Sequence, residues 1–217
     1  MIRSDYIMRL IEQFAQALAK ILFKKENNEQ VIIKLDDLSQ QYLGIDIQML
    51  NSMTSDEILS LFTVNGDLYF VKCFMAAELF RKECEANELI GASYDSNFDN
   101  YLKSFLLYFE SIFNNYELQN ADVFSSIQKI IKIIGKYKLP ASVKFKIFLF
   151  YELSNDFAAA ENMLYELVDD KYDQILKEGI AFYQRLLAKN DEDLEKGNLP
   201  RDEILEGLRT FRNKRCN

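Results

Sequence analysis

The sequence predicts an all-α protein, and three observations support this fold class. Apolar residues recur at helical spacing from Ile7 to Phe211, and short polar stretches separate the helical segments. The 217 residues include only 7 glycines and 2 prolines, which is little turn chemistry for a sheet of many strands. Strand-length runs do not alternate with helical segments, so βαβ units are not expected. We expect roughly ten helices, paired as antiparallel hairpins that stack into a short right-handed solenoid.

Residues 141–168 predict the hairpin around which the other helices are arranged. Between Pro140 and Ser154 almost no polar face is left, and a helix that is apolar all round has to be covered on all sides. A short turn, Ser154-Asn155-Asp156, connects this helix to an amphipathic one and makes the two antiparallel neighbours. The apolar positions of the second helix are Phe157, Ala160, Met163, Leu164 and Leu167.

The N-terminal region predicts a long amphipathic helix at residues 4–25 and a second helix at residues 30–43. Gly44 follows the second helix and favours its termination there. The first helix carries a regular apolar stripe. Its members are Ile7, Leu10, Ile11, Phe14, Leu18, Ile21 and Leu22.

Two short elements are predicted next. Residues 45–53 have room for one or two helical turns. Thr54 and Glu57 then match a capping box, in which the Thr54 hydroxyl accepts a hydrogen bond from the Glu57 amide and the Glu57 side chain reaches back. We expect this box to start a short helix that ends near Asn65 and Gly66.

Three longer helices are predicted next, at residues 68–88, 98–114 and 121–134. Asp95 or Ser96 is expected to cap the second of these helices, and Gly135 is expected to adopt the left-handed conformation after the third.

The C-terminal region predicts two more helices with a loop between them. The first covers residues 172–188. Residues 189–199 are polar and acidic, which is typical of a solvated loop. Pro200 suits the first turn of the last helix, and residues 212–217 are expected to fray.

The helix at residues 98–114 is rich in aromatic side chains, and two interpretations are open. The aromatic residues either fill the core, where aromatic side chains dominate burial, or line the wall of a ligand cavity. We favour the core. The residues concerned are Phe98, Tyr101, Phe105, Tyr108, Phe109, Phe113 and Tyr116.

The net charge and the cysteines restrict which partners the protein is expected to bind and in which cellular compartment it is expected to lie. The net charge of −8 argues against nucleic-acid binding, which needs clustered lysine and arginine. Cys73 and Cys84 are expected on one helix, roughly 16 Å apart, which is too far for a disulfide. Such reduced cysteines are typical of a cytoplasmic protein. No apolar run approaches the length of a membrane span, so no membrane partner is expected.

The sequence contains no motif that indicates catalysis. It has no histidine, which removes histidine-dependent nucleophilic pairs and most zinc sites. Glycine-rich phosphate loops are absent as well. Carboxylate pairs occur only near predicted helix ends, where solvated surface is the ordinary interpretation. We therefore expect no catalytic residue, no cofactor and no metal, and a protein that is not an enzyme.

A row of lysines is the strongest candidate for binding. Lys129, Lys132 and Lys136 follow one another at helical spacing and share a face if their helix continues past Gly135. One interpretation is a site for an acidic peptide or a phosphorylated group. The other, which we favour, is an ordinary solvated face that the acidic C-terminal half partly neutralises.

The central hairpin resembles a tetratricopeptide-type unit. Tyr151, Phe157, Ala160 and Leu164 occupy the large, aromatic, alanine and large positions of that motif. Phe148 stands where the family has a small glycine, which places the tight helix crossing in doubt. A second, poorer match has Gly179 at the glycine position and Phe182 at the aromatic one.

The resemblance implies a concave binding face on the first helix of each unit. Those positions fall here on Phe145, Leu149 and Glu152. Units that bind peptide carboxyl termini have lysine and asparagine at the first two positions. Both are apolar here, so that activity is not carried over, and Glu152 remains a binding candidate.

A second resemblance rests on the opening MIRSDYIMRLIEQFAQALAKILF. It is similar to the start of a family of uncharacterised bacterial proteins that is described only as a domain of unknown function. This resemblance implies no activity.

These observations favour a single all-α domain that acts as a protein-interaction or scaffold module for an unidentified protein or acidic peptide. Residues 1–53 are predicted to cap an array of hairpins at residues 54–217. The competing function is the binding of a small apolar ligand in an aromatic-lined cavity.

The N-terminal helix also has two interpretations. Its stripe repeats every seven residues through Ile7, Phe14 and Ile21, as in a helix that pairs along its length in a homodimer. Alternatively, the stripe packs on the helix at residues 30–43 and closes the end of the array. We favour the second interpretation.

Overall fold

The structure is a computed structural model that describes residues 2–23, 28–89, 91 and 93–216. This part of the chain contains twelve α-helices, one 3₁₀ turn at Tyr116–Leu118 and one two-stranded hairpin, which confirms the all-α prediction. The helices are α1 (Ile2–Phe23), α2 (Asn28–Leu43), α3 (Ile47–Ser52), α4 (Ser55–Leu61), α5 (Phe70–Leu89), α6 (Tyr94–Asn114), α7 (Ala121–Ile134), α8 (Ala141–Leu153), α9 (Phe157–Asp169), α10 (Ile175–Leu187), α11 (Asp191–Lys196) and α12 (Arg201–Cys216). Their stacking as a right-handed solenoid stays a prediction.

The chain divides into two compact units, Met1–Tyr137 and Lys138–Asn217. The predicted boundary after residue 53 falls inside the first unit. The single-domain organisation stays a prediction.

An antiparallel pair of helices, α5 and α6, forms the centre of the first unit. Hydroxyl groups of α6 donate hydrogen bonds to backbone carbonyls of α5: Ser104 to Ala77 at 2.7 Å and Ser111 to Phe70 at 3.1 Å. Small polar residues at these positions therefore let the two backbones approach closely. The α5 side of this pair packs against α1 and α2, and the α6 side packs against α7.

Helix α1 packs within the first unit. Its buried stripe residues are Ile11, Phe14, Leu18 and Ile21. The ring of Phe14 meets that of Tyr42 on α2 edge to face, with centroids 5.2 Å apart. This packing supports the cap interpretation of the stripe. Residues 24 and 25 of the predicted helix lie outside the described residues.

A β-hairpin connects α4 to α5, and the sequence interpretation missed it. Strand β1 (Thr63–Val64) pairs with β2 (Asp67–Leu68) across a two-residue turn. Asn65 and Gly66 adopt the left-handed conformation at φ 55° and 87°. An Asn-Gly pair is the strongest short signal for such a turn, and the prediction used it only as a helix end. The capping box of Thr54 and Glu57 is confirmed.

Two predictions about helix ends were wrong. Ser93, not Asp95 or Ser96, caps α6, because its hydroxyl accepts from the amide of Ser96 at 3.3 Å and the helix begins four residues earlier than predicted. Gly135 does not adopt the left-handed conformation. Its φ of −66° continues the helical geometry, and its amide donates to the carbonyl of Ile131 at 2.8 Å.

The second unit contains the predicted hairpin, with α8 and α9 at the predicted positions. The ammonium group of Lys144 near the start of α8 contacts Glu166 at 3.0 Å and Asp170 at 2.9 Å near the end of α9, so the helices are antiparallel. Phe148 and Leu164 lie fully buried in one core cluster. The other two main helices of this unit, α10 and α12, pack on each other.

The prediction of a solvated loop at residues 189–199 was wrong. Asn190 caps a short helix there, α11, and Leu194 and Leu199 are 0% and 1% exposed. The acidic residues that suggested a loop lie in the first turn of α11, where negative charge interacts favourably with the helix dipole. Helix α12 continues to Cys216, so the predicted fraying of residues 212–216 also differs from the structure, and residue 217 lies outside the described residues.

Candidate functional site

A groove in the first unit is the strongest candidate for a binding site. We call it the α1–α5–α7 groove. It has a volume of about 440 Å³ and is partly open to solvent, and seven of its twelve lining residues are apolar. The lining residues are Ile11, Phe14, Ala15, Leu18 and Ala19 of α1, Phe74, Glu78, Arg81 and Lys82 of α5, and Asp122, Val123 and Ser126 of α7.

Small side chains on α1 keep the groove open. Ala15 and Ala19 are four residues apart, so they lie one above the other on the same face of the helix. Ala15 is exposed and Ala19 is half-buried. The buried side chains of Ile11, Phe14 and Leu18 form the apolar surface beside them. A larger residue at the half-buried position 19 would occupy the groove, whereas the exposed position 15 lies where the groove opens to solvent.

Paired charges lie at the α5 side of the groove. The Arg81 guanidinium contacts Glu78 and Glu85, each at 2.5 Å, and Lys82 contacts Glu85 at 2.6 Å. Two cations and two carboxylates therefore compensate one another. This leaves the α5 wall without net charge, although it carries four ionisable groups.

Tyr108 of α6 completes this network from the core. Its hydroxyl donates to Glu78 at 2.5 Å and accepts from the Nε of Arg81 at 3.2 Å. Burial raises the pKa of Tyr108 well above its ordinary value, and the charge of Glu78 raises it further. The phenol therefore remains protonated and holds Glu78 in place. The network positions the α5 side chains but offers no free acid or base for catalysis.

The aromatic residues of α6 lie mainly in the core. Tyr101, Phe105, Tyr108 and Phe109 are all buried, and no residue of α6 lines the α1–α5–α7 groove. Phe113, near the end of the helix, is 41% exposed. The aromatic side chains at the groove are instead Phe14 and Phe74, from α1 and α5.

The predicted lysine row begins next to the groove. Lys129 and Lys132 are exposed on α7, and Lys129 follows the groove residue Ser126 by one turn of the same helix. Lys136 is separated from them, because α7 ends at Ile134. The Lys136 ammonium lies 4.8 Å from the ring centroid of Tyr94.

Glu152, the other predicted binding residue, pairs with a cation in the second unit. Its two carboxylate oxygens accept from Nε and Nη2 of Arg185 at 2.6 and 2.7 Å, and Arg185 also contacts Glu178 at 2.7 Å. This bidentate pair joins α8 to α10. The groove and Glu152 lie in different units, and Glu152 as a binding residue stays a prediction.

The two cysteines of α5 are free and buried. Burial raises the pKa of Cys73 to about 12, and the charge of Glu110 acts in the same direction. Burial also raises the pKa of the Cys84 thiol, whose sulfur donates to the carbonyl of Asn97 at 3.7 Å. Neither thiol has the lowered pKa of a reactive nucleophile.

Two further findings concern the described part of the chain. It contains no group of three or more histidine, cysteine, aspartate or glutamate side chains placed to hold a metal ion. None of its helices combines the length and the apolar character that crossing a bilayer requires.

Comparison with known families gives one match. The model of a family of unknown function, DUF6483, matches residues 1–215. The chain belongs to this family. The match extends the resemblance of the opening 23 residues over almost the whole sequence, and DUF6483 membership brings no activity with it. No curated protein matches, and no solved structure matches.

The sequence interpretation missed the groove because its residues come from three distant segments. The stripe of α1 predicted burial for Ile11, Phe14 and Leu18, which is correct. Two of the alanines of that helix, Ala15 and Ala19, gave a weak local signal, since small residues beside an apolar stripe leave space at a packed face.

Proposed function

We propose that this protein is a non-enzymatic interaction module that binds a segment of a partner protein in the α1–α5–α7 groove. One observation carries the proposal: the central aromatic residues of α6, from Tyr101 to Phe109, fill the core, whereas an apolar groove remains open between three other helices. A filled core with an open groove favours a macromolecular partner, because an elongated apolar segment can enter from solvent without opening the fold.

The ionisable groups support a binding function over a catalytic one. The carboxylates of Glu78 and Glu85 are paired with Arg81 and Lys82, so none of them is poised to transfer a proton. Such paired groups at the edge of an apolar surface are typical of interfaces, where they contribute specificity more than affinity.

The setting of this function follows from the earlier predictions. We infer a bacterial cytoplasm, from the resemblance of the opening residues and from the free cysteines of α5. We also propose that α8 and α9 act as a tetratricopeptide-type unit. The poorer match at α10 also has its glycine at a close contact, since a Cβ atom at Gly179 would overlap the ring of Phe211 on α12.

Site-specific photo-crosslinking in growing cells tests the groove. Benzoylphenylalanine replaces Ala15, which lines the groove, or Gln16, which is exposed on a different face of α1. We expect a discrete protein adduct from position 15 that position 16 does not give. Ala19→Arg, which fills the groove with a charged side chain, should remove the adduct from position 15. Equal adducts at both positions, or none at position 15, would contradict the proposal.

A small apolar ligand is the second candidate, and the groove volume favours it. About 440 Å³ falls within the range of small-molecule sites, and Phe14 and Phe74 supply aromatic surface. Native mass spectrometry of the purified protein separates the candidates. A bound molecule that the groove-filling variant Ala19→Phe loses would favour the ligand. A protein that carries no such molecule supports the interaction module.

A further inference from the structure

Lys129 of α7 extends one end of the α1–α5–α7 groove. Val123 and Ser126 line the groove, and Lys129 is three residues beyond Ser126. Three residues advance a helix by about 4.5 Å and rotate the position by about 60°, so Lys129 is one turn further along, beside Ser126. Lys132 is about 180° around the helix from Val123 and faces away from the groove. Lys129 is exposed, and no described residue forms an ion pair with it.

The opposite end of the groove has the opposite charge. Asp122 lines the groove at the start of α7, seven residues and about 10 Å before Lys129. The charges of α5 are paired, as described above, and α1 contributes only apolar side chains to the lining. The uncompensated charges along the groove are therefore negative at Asp122 and positive at Lys129.

The length of the groove limits what fills it. On α1 the lining residues run from Ile11 to Ala19, and on α5 they run from Phe74 to Lys82. Eight residues of helix correspond to about 12 Å. A partner helix that lies along this distance has about two of its turns in contact with the groove. Apolar residues at positions i, i+3 or i+4, and i+7 of such a helix would all face the groove.

We propose that the partner segment is an amphipathic helix whose apolar face fills the groove and whose next turn carries an acidic residue that contacts Lys129. This inference rests on the proposed function of the groove and adds the chemistry and the orientation of the occupant. The apolar contacts supply the affinity, and the change of charge from Asp122 to Lys129 selects the direction in which the helix lies.

Three synthetic peptides of about 18 residues test the proposal by fluorescence anisotropy with the full chain. The first has leucine at i, i+3, i+4 and i+7, followed by glutamate on the same face of the next two turns. In the second, lysine replaces these glutamates. In the third, serine replaces the leucines and the glutamates remain. We expect the first peptide to bind, the second to bind about tenfold more weakly, and the third not to bind at about 1 mM.

Variants of the protein locate the effect. Lys129→Glu should weaken the acidic peptide about tenfold and strengthen the lysine peptide. The matched control, Lys177→Glu, makes the same change of total charge in the second unit and should leave both affinities unchanged. Lys129→Gln gives an intermediate loss, and an unchanged melting temperature for this variant excludes a purely structural effect of Lys129 on α7.

Each outcome bears on one proposal. Equal binding of the acidic and basic peptides, with loss of both in Ala19→Arg, overturns the acidic-helix inference and leaves the groove as a binding site. Binding of the serine peptide as strong as that of the acidic one reduces the effect to general charge attraction and also overturns the inference. Failure of the acidic peptide to bind at about 1 mM overturns it too, whereas the crosslinking from Ala15 tests the groove independently.

Discussion

Gly197 lies against the ring of Phe157, and a Cβ atom at position 197 would overlap that ring. The carbonyl of Gly197 also accepts a hydrogen bond from the amide of Ala158 at 3.1 Å. The end of α11 is therefore held against the first turn of α9 by a backbone hydrogen bond and by the contact with the Phe157 ring. Gly197 has φ of −82°, a value that any residue adopts, so the need for glycine here is steric.

Gly197→Ala should lower the free energy of unfolding by about 1–3 kcal/mol, since overpacking forces the ring or the backbone to shift. Urea denaturation followed by circular dichroism measures the loss. Glu195→Ala, an exposed change on the same helix, should stay within about 0.5 kcal/mol of the parent.

A second variant identifies the clash itself. Combining Gly197→Ala with Phe157→Leu should cost less than the sum of the two single changes, because the smaller side chain makes room for the new methyl group. If the losses in free energy of unfolding of the two single variants simply add, the ring of Phe157 does not cause the clash at position 197.

Phe148 and Leu164 should contribute to stability and not to recognition. Both are 0% exposed in the core of the second unit. Phe148→Ala is expected to cost about 3–5 kcal/mol and Leu164→Ala about 2–5 kcal/mol, as measured by thermal denaturation. The exposed change Asn162→Ala serves as the control. If Phe148→Ala melts like the parent, the assignment of α8 to the core is wrong.

A buried carboxyl group predicts a pH-dependent contribution to stability. Glu83 of α5 is 7% exposed, and its carboxylate accepts from the side-chain amides of Asn51 at 2.9 Å and Asn100 at 3.3 Å. Burial raises the pKa of Glu83, while the hydrogen bond from Asn51 and the charge of Lys103 lower it in part. Its pKa in the folded protein is therefore above that in the unfolded chain.

The sign of the effect follows from this direction. Between the ordinary pKa of glutamate, about 4, and the raised pKa of Glu83, the folded state binds more protons than the unfolded state. The stabilising contribution of Glu83 to the free energy of unfolding is fully present at pH values below the ordinary pKa of glutamate. It is lost as the pH rises through the raised pKa of Glu83 in the folded protein. Glu83→Gln removes the titration, so its melting temperature should improve relative to the parent as the pH rises.

Differential scanning calorimetry at several pH values from about 4 to 7 tests this prediction. The difference in melting temperature between Glu83→Gln and the parent should increase with pH. The same difference for Asn162→Ala, an exposed change that involves no titratable group, should stay constant. A difference for Glu83→Gln that decreases with pH would show that the carboxylate is stabilised in its charged form.

The sequence predicted the helices well where apolar spacing alone defines them. Helix α7 begins and ends at the predicted residues, and so does α8. The Asn65-Gly66 pair was a sequence signal for the β-hairpin. The strands on either side have only two residues each, which is too few to show the alternating pattern of a strand. Helix α11 was missed because Leu194 is the only buried residue among six, too few to produce a periodic pattern.

The groove was less accessible to sequence reasoning for a physical reason. Its shape depends on how far apart three helices lie, and this distance is set by the packing of large side chains such as Phe14 and Phe74. Spacing along the chain gives the face on which Ala15 lies, but not the element across from it. The lysine row was found because its members are close in sequence, and the position of Lys129 beside the groove residue Ser126 was not.

The last prediction concerns the role of α1. Phe14 is 0% exposed and contacts Tyr42 of the same chain, so its ring has its apolar partners without a second copy. We therefore expect light scattering at micromolar concentration to give the mass of one chain, 25.5 kDa. Homodimerisation through α1 stays a competing proposal, in which the exposed Tyr6 contributes to the contact, and it predicts about twice that mass.

Substitutions on the two faces of α1 distinguish these cases. Phe14→Glu buries an unpaired charge and should cost about 3 kcal/mol or more in stability without changing the mass. Gln13→Glu, at an exposed position of the same helix, should leave stability unchanged. If the parent has twice the mass of one chain and Tyr6→Glu halves it while the melting temperature is preserved, then α1 forms a dimer. In that case the stripe from Ile11 to Ile21 still packs on α2, and the dimer contact is confined to the outer face of α1.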